Sequence, residues 1–262
     1  MTMVQDPPQP VGVLLKHWRE QRRLSQLELA TRTEVSARHL SFVETGRSKP
    51  TQTMLLKLSE QLDIPLRERN SLLLAGGYAP AYAEHQLSDI PMAAVADAIG
   101  KILRGHLPYP AVVVDRHWNM VDGNEAVALF TAGCAMHLLE PPINVLRLAL
   151  HPEGMARRIQ NLGQTRAHLL DRLAHQISAT GDAALRDLHR ELRTYPGDDL
   201  DTVHDTRALV VPIRLAPDGD GPELAFFSTT TVFGTPLDVT LAELAVESFY
   251  PADETTVAAF KR

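Results

Sequence analysis

The residues with the clearest chemical capacity form one short run, Ser36-Ala37-Arg38-His39-Leu40-Ser41, with Gln26 before it and Arg47 and Lys49 after it. Arg38 can present two parallel N–H donors to the O6 and N7 acceptors of guanine. His39 offers one ring nitrogen, and Ser41 a hydroxyl for base or phosphate. Gln26 suits phosphate or base contact, and the charges of Arg47 and Lys49 suit phosphates. Together with Ser36 and Ala37 at the start of the run, these side chains describe a helix end that reads base edges while flanking donors grip the DNA backbone.

Such a helix needs a rigid support, and the surrounding sequence predicts one. Residues 11–78 read as five short helices separated by small or polar breakers. Leu14, Leu15 and Trp18 share a face of the first. Ser25 with Glu28 three positions on is a capping box that starts the second. Residues 33–36 are a turn, Ser36 caps the third helix, and Gly46 ends it. Pro50 and Pro65 precede a fourth and a fifth helix, and Gly76-Gly77 closes the set.

The charge distribution agrees. The whole chain of 262 residues carries −6, but residues 11–80 hold 11 Lys plus Arg against 7 Asp plus Glu, a local +4 that leaves −10 elsewhere. A basic head on an acidic body approaches phosphates with the head alone.

Leu24-Ser25-Gln26, Leu29-Ala30, Val35-Ser36 and Glu44-Thr45-Gly46-Arg47 resemble the xenobiotic-response-element (phage repressor-like) helix-turn-helix family over about residues 11–75. That resemblance implies that Arg19 pairs with Glu44 and ties the first helix to the end of the third. One recognition helix covers few base pairs, so a homodimer on a palindromic double-stranded operator is expected.

Residues 79–91 read as a linker and 92–262 as a second, mixed domain, which makes the fold α+β. A helix is expected over 93–104, a hairpin over 109–114 and 118–121, and a helix over 125–130. Helical sequence rich in Leu, Arg and His spans 142–193, with an interruption at Asn161-Leu162-Gly163. Strands are expected over 206–215, 223–233 and 241–249.

Pro108-Tyr109-Pro110-Ala111, Asp115-Arg116-His117-Trp118-Asn119, Leu146-Arg147 with His151-Pro152, Phe227-Ser228-Thr229, Phe233 to Leu241 and Glu247 to Asp253 resemble the MmyB-like regulators. That resemblance implies a PAS-like domain with antiparallel sheet and a fatty-acid-like ligand. A pocket between a curved sheet and its covering helices would be lined by inward strand residues, for which Val112, Val114, Trp118, Phe130, Leu209, Val211, Phe226 and Phe227 are candidates. A fatty-acid carboxylate also needs a partner in the pocket. Arg147 and His151 are the candidates, with Arg157, Arg158 and His168 as alternatives.

Other functions find little support. There is no H-E-x-x-H, G-x-S-x-G, Walker A or G-x-G-x-x-G motif. His137, His151, His168, His175, His189 and His204 show no ligand spacing, so no catalytic residue, metal or cofactor is expected. Cys134 is the only cysteine, which excludes an internal disulfide. Residues 1–10 read as a disordered leader rather than a secretion signal. With no apolar run long enough for a bilayer, no membrane contact is expected and a cytoplasmic location is. The competing readings are a DNA-binding adaptor or antitoxin whose second domain binds protein, and an enzyme.

Overall fold

A computed structural model describes residues 9–197, 210–216 and 221–261 of the chain, in two compact units. The first comprises the residues up to His85 together with 236–242, and the second 86–235 with 243–262. Of the expected leader, only Gln9 and Pro10 fall within the described residues.

The first unit is built on α1 (Val11–Gln21), α2 (Gln26–Thr33), α3 (Ala37–Glu44), α4 (Gln52–Gln61) and α5 (Leu66–Ala75). Leu15, Trp18, Leu29, Leu40, Leu58 and Leu72 meet in one buried cluster, because each lies on the inward stripe of its helix. The Ser25 hydroxyl accepts from the Glu28 N–H while the Glu28 carboxylate accepts from the Ser25 N–H, so α2 starts with two of its orphan donors satisfied. Glu34 takes a left-handed φ of 54° at the end of α2, and the Val35 N–H bonds to the Ala30 carbonyl, which turns the chain tightly into α3. Gly46, at φ 75°, turns it out again.

Close approach of α1 to the end of α3 depends on Gly12. A Cβ built there would lie 2.2 Å from the Val43 carbonyl oxygen and 2.8 Å from that of Glu44. Both obstacles are backbone and cannot rotate aside. Gly12→Ala is therefore expected to destabilise the unit by about 1–3 kcal/mol, read as a fall in the urea midpoint. An unchanged midpoint would show that the two helices have room to part.

The second unit begins with α6 (Ala93–Gly105), followed by β1 (Ala111–Val114), β2 (Met120–Gly123) and α7 (Ala128–Thr131). Then come α8 (Val145–Leu150), α9 (Leu162–Thr180), α10 (Ala183–Thr194), β3 (Ile213–Leu215), β4 (Leu224–Val232), β5 (Ala245–Pro251) and α12 (Glu254–Ala259), while α11 (Val239–Glu243), between β4 and β5 in the chain, counts with the first unit through residue 242. The strands form one antiparallel sheet in the order β2-β1-β5-β4-β3. Alternation along each strand divides the apolar side chains between two faces. Val113 and Val246 pack with Ile99 and Leu103 of α6, whereas Val112 and Val114 pack with Leu146, Leu170 and Leu173 of α8 and α9.

Three sequence expectations are corrected. The hairpin's second strand starts at Met120 rather than at residue 118, because the Asp115 carboxylate accepts from the His117 and Asn119 N–H groups and the turn runs through Trp118. No strand begins at residue 241: α11 runs to Glu243, supported by the Leu241 N–H bonding to the Asp238 carboxylate, and β5 follows from Ala245. The helical stretch over 142–193, expected with one interruption at 161–163, is three helices: α9 does begin after Asn161, and a second break at Gly181 is followed by Asp182, which caps the last through the Ala184 and Leu185 N–H groups. Of the strand expected over 206–215, residues 206–209 lie outside the described residues.

The segment between β4 and β5 belongs to the first unit from Pro236 to Ala242. There the Asp238 carboxylate accepts from the His85 N–H at 3.2 Å and lies 2.8 Å from its Nδ1, and the Val239 N–H bonds to the Ala83 carbonyl at 2.8 Å.

Candidate functional site

Two sites emerge, one in each unit. In the first, the start of α3 is open to solvent. Ser36 is exposed and its hydroxyl accepts from the His39 N–H at 3.1 Å. Arg38 is exposed, with its guanidinium carbon 5.4 Å from the centre of the Phe42 ring one turn on, which gives the cation a resting place outside the core. His39 and Ser41 are half-buried, and Arg47 and Lys49 are exposed, with the Lys49 ammonium 5.5 Å from the Tyr78 ring centre. Ala37 differs from its neighbours: it packs against the buried cluster, so its methyl is part of the support of α3.

Below this surface, Arg19 and Glu44 form a two-point ion pair, Nε to Oε1 at 2.7 Å and Nη2 to Oε2 at 2.9 Å. The bond from Glu44 holds the Arg19 pKa above its ordinary value against the opposing effect of burial. Gln26 donates its amide to the same carboxylate at 2.7 Å. Its side chain is thus fixed at the start of α2 by a residue at the end of α3, a link that spacing alone did not reveal.

The second site is an apolar cavity between the sheet and α8 and α9, with about 680 Å³ of space free of atoms, including the part open to solvent. Val112, Trp118 and Phe130 line it, as do Met120, Leu146, Leu148, Met155 and Phe249. Val114 and Val211 line neighbouring hollows instead. Phe226 is fully buried among Phe130, Leu215 and other residues. Phe227 follows it in the strand, so it faces the other side of the sheet, where its ring stacks on Tyr250 at 5.5 Å. Leu209 lies outside the described residues.

Neither Arg147 nor His151 is among the residues lining this cavity. Arg147 clasps Glu191 through Nε and Nη2 at 2.7 and 2.8 Å, joining α8 to α10, and Tyr195 donates its hydroxyl to the same carboxylate. The bond from Arg147 holds Glu191 below the ordinary carboxylate range. Burial and then Glu191 push the Tyr195 hydroxyl well above its usual value. His151 packs edge-on against Tyr195 at 5.0 Å.

The charged residues that do line the cavity are Arg172 and Glu247. Glu247 enters from β5, its side chain only 5% exposed, and accepts from Arg172 of α9 at 2.5 and 3.1 Å. Thr230 accepts a third Arg172 bond at 2.6 Å and donates to Glu247 at 2.9 Å. The Arg172 guanidinium carbon sits 4.5 Å from the Trp118 ring centre. Sequence reasoning missed this pair, whose members are 75 positions apart. The available signal was a glutamate in a predicted strand, at a position matched in alternation with Phe249.

The histidines are also less scattered than their spacing suggests. A backbone bond from Ala135 to Glu153 brings two loops together, and ligand-type atoms of His137, His151 and Glu153 then lie within 4.8 Å of one another. One nitrogen of this group is already engaged, since His151 Nδ1 accepts from the Glu153 N–H at 3.1 Å.

Comparison with known proteins agrees with this division. Residues 15–69 match a helix-turn-helix family, and residues 95–262 match the family described as MmyB-like transcription regulator ligand binding domain. A stretch of 60 residues is 35% identical to Multiprotein-bridging factor 1 of Candida albicans, covering 23% of this chain and 40% of that protein. The latter match leaves most of that relative's length uncovered. A helix-turn-helix with an exposed third helix and an apolar cavity are the two parts of a DNA-binding transcription regulator with a ligand-binding domain, and the chain belongs to the MmyB-like transcription regulator ligand binding domain family.

Proposed function

We propose that this protein binds a palindromic operator as a homodimer, and that an acyl-chain amphiphile, a fatty acid or a derivative of one, sets its operator affinity from the cavity of a PAS-like domain. The observation that carries the DNA half is the exposed start of α3, with Arg38 outside a core that holds Leu40 and Val43. Gln26, Ser36, His39, Ser41, Arg47 and Lys49 are assigned to contact with bases and phosphates around it. Ala37 shapes the close approach. The ligand half rests on the cavity, with Val112, Trp118 and Phe130 against the chain of the ligand. An antiparallel sheet with helices packed against it, α8 and α9 over the face of Val112 and Val114, supports the PAS-like reading.

Dimerisation places two recognition helices on half-sites about one helical turn apart, and gives the selectivity that one helix lacks. The ligand then changes DNA affinity by its own difference in affinity for the DNA-competent and incompetent states. Among the described residues no helix is long and apolar enough to cross a membrane, in keeping with a cytoplasmic regulator. The name of the Candida albicans relative favours a second reading, an adaptor whose larger domain binds protein. The two readings part on whether an added amphiphile or an added partner chain shifts operator affinity.

Arg38→Ala tests the assignment of the recognition helix. On operators selected in vitro by the purified chain, the variant should lose about 1–3 kcal/mol at one preferred base pair and discriminate less at that position. A uniform loss on every sequence would assign Arg38 to phosphate and remove its role in readout.

A further inference from the structure

Resting on the reading of the cavity as a ligand site, we infer that its ligand ends in an uncharged hydroxyl or carboxamide, held by Arg172 and Glu247, rather than in a free carboxylate. The cavity wall is apolar except at Arg172, Glu247 and Ser228. Arg172 is the cation that an acid would need, but its charge is already met. Glu247 engages both of its terminal nitrogens, Thr230 joins the same cluster, and the face of Trp118 covers the guanidinium. The pair is neutral as a unit.

A carboxylate entering this site would place a second anion beside Glu247, whose side chain is only 5% exposed and already bonded to Arg172 and Thr230. Two carboxylates would then share one guanidinium in surroundings where an uncompensated charge is costly. An uncharged end group meets no such opposition. A guanidinium has five N–H donors, and three of those of Arg172 are engaged among the described residues. The remaining donors can bond a carbonyl or hydroxyl oxygen of the ligand. Glu247, an acceptor only, can in turn take the N–H or O–H of the same group. Donor and acceptor side by side fit a carboxamide or an alcohol, whereas a carboxylate supplies acceptors alone.

The test uses the full chain, with Nile red as a neutral probe of the cavity and dodecanamide and dodecanoate as competitors of equal chain length at neutral pH. Dodecanamide should displace the dye at a concentration at least about tenfold lower, a difference set by one end group. Glu247→Gln leaves Arg172 without its counter-charge and should reverse the order. If the wild-type chain binds dodecanoate as tightly as the amide or more tightly, the inference falls while the cavity remains a ligand site. If neither compound displaces the dye or co-elutes in native mass spectrometry, the ligand reading itself falls, and the inference with it. The wild-type comparison decides the matter even if Glu247→Gln does not fold. An unchanged order in a folded Glu247→Gln protein would also count against it.

Discussion

Arg19→Met is expected to lower the stability of the helical unit by about 3–5 kcal/mol, because it leaves a buried carboxylate without its cation. The side chains of Arg19 and Glu44 are 9% and 1% exposed, so little solvent screens the pair. Methionine keeps much of the arginine stem's volume but removes two charge-assisted bonds to Glu44 and a third to the Leu24 carbonyl. Among the described residues, the Gln26 amide then remains to offset the carboxylate. The comparison within the same helix is Lys16 with Glu20, at 3.8 Å and more than half exposed on both sides, where Lys16→Met should change stability by less than about 0.5 kcal/mol. Urea unfolding read by circular dichroism distinguishes the two. Adding Glu44→Leu to Arg19→Met removes the orphaned charge and should recover a large part of the loss. If Arg19→Met cost less than about 1 kcal/mol, the carboxylate would have found water, and the bridge would not be what fixes α3. Operator binding should weaken along with stability, since the pair holds the end of the recognition helix to α1.

Local chemistry is what made the first unit readable. A capping box needs two residues three apart, a turn needs a few small or polar ones, and a helical stripe repeats within one turn. Ser25, Glu28, Ser36 and Gly46 therefore announce their helices from the sequence alone. The cavity is different in kind. Its polar corner joins α9 to β4 and β5, and no local rule links Arg172 to Glu247 across 75 positions. Arg147 and His151 drew attention because they lie in a recognisable motif, yet Glu191 of α10 and Tyr195 just past its end engage them instead, and neither lines the cavity. Phe226 and Phe227 could not both face one side of a strand, and only strand alternation with its neighbours decides which does. The misplaced strand at residue 241 has a similar origin: Leu241 and Ala242 are apolar enough for a sheet, but Asp238 supplies an acceptor at the right distance to start a helical turn.

Trp118→Ala should be the most damaging change in the second unit, costing about 3–5 kcal/mol there. The residue is 7% exposed, and its ring lines the cavity, donates its N–H to the Gln176 side chain at 2.8 Å and lies beneath the Arg172 guanidinium. Truncation removes all of these contacts at once and leaves Gln176 without a donor. Trp118 also holds a left-handed φ of 67°, which is uncommon for a bulky side chain and is stabilised by the turn that Asp115 organises. Alanine keeps that strain while losing the packing that offsets it. Trp118→Gly relaxes the backbone and should be less damaging than Trp118→Ala by up to about 1 kcal/mol, a reversal of the usual order. Hydrogen exchange can separate the units, because the loss should appear in the amides of β1 and β5 and leave those of α1 to α5 protected. A glycine variant less stable than the alanine one would mean that the strain at residue 118 is not real. A uniform loss of protection in both units would mean that they unfold together rather than separately.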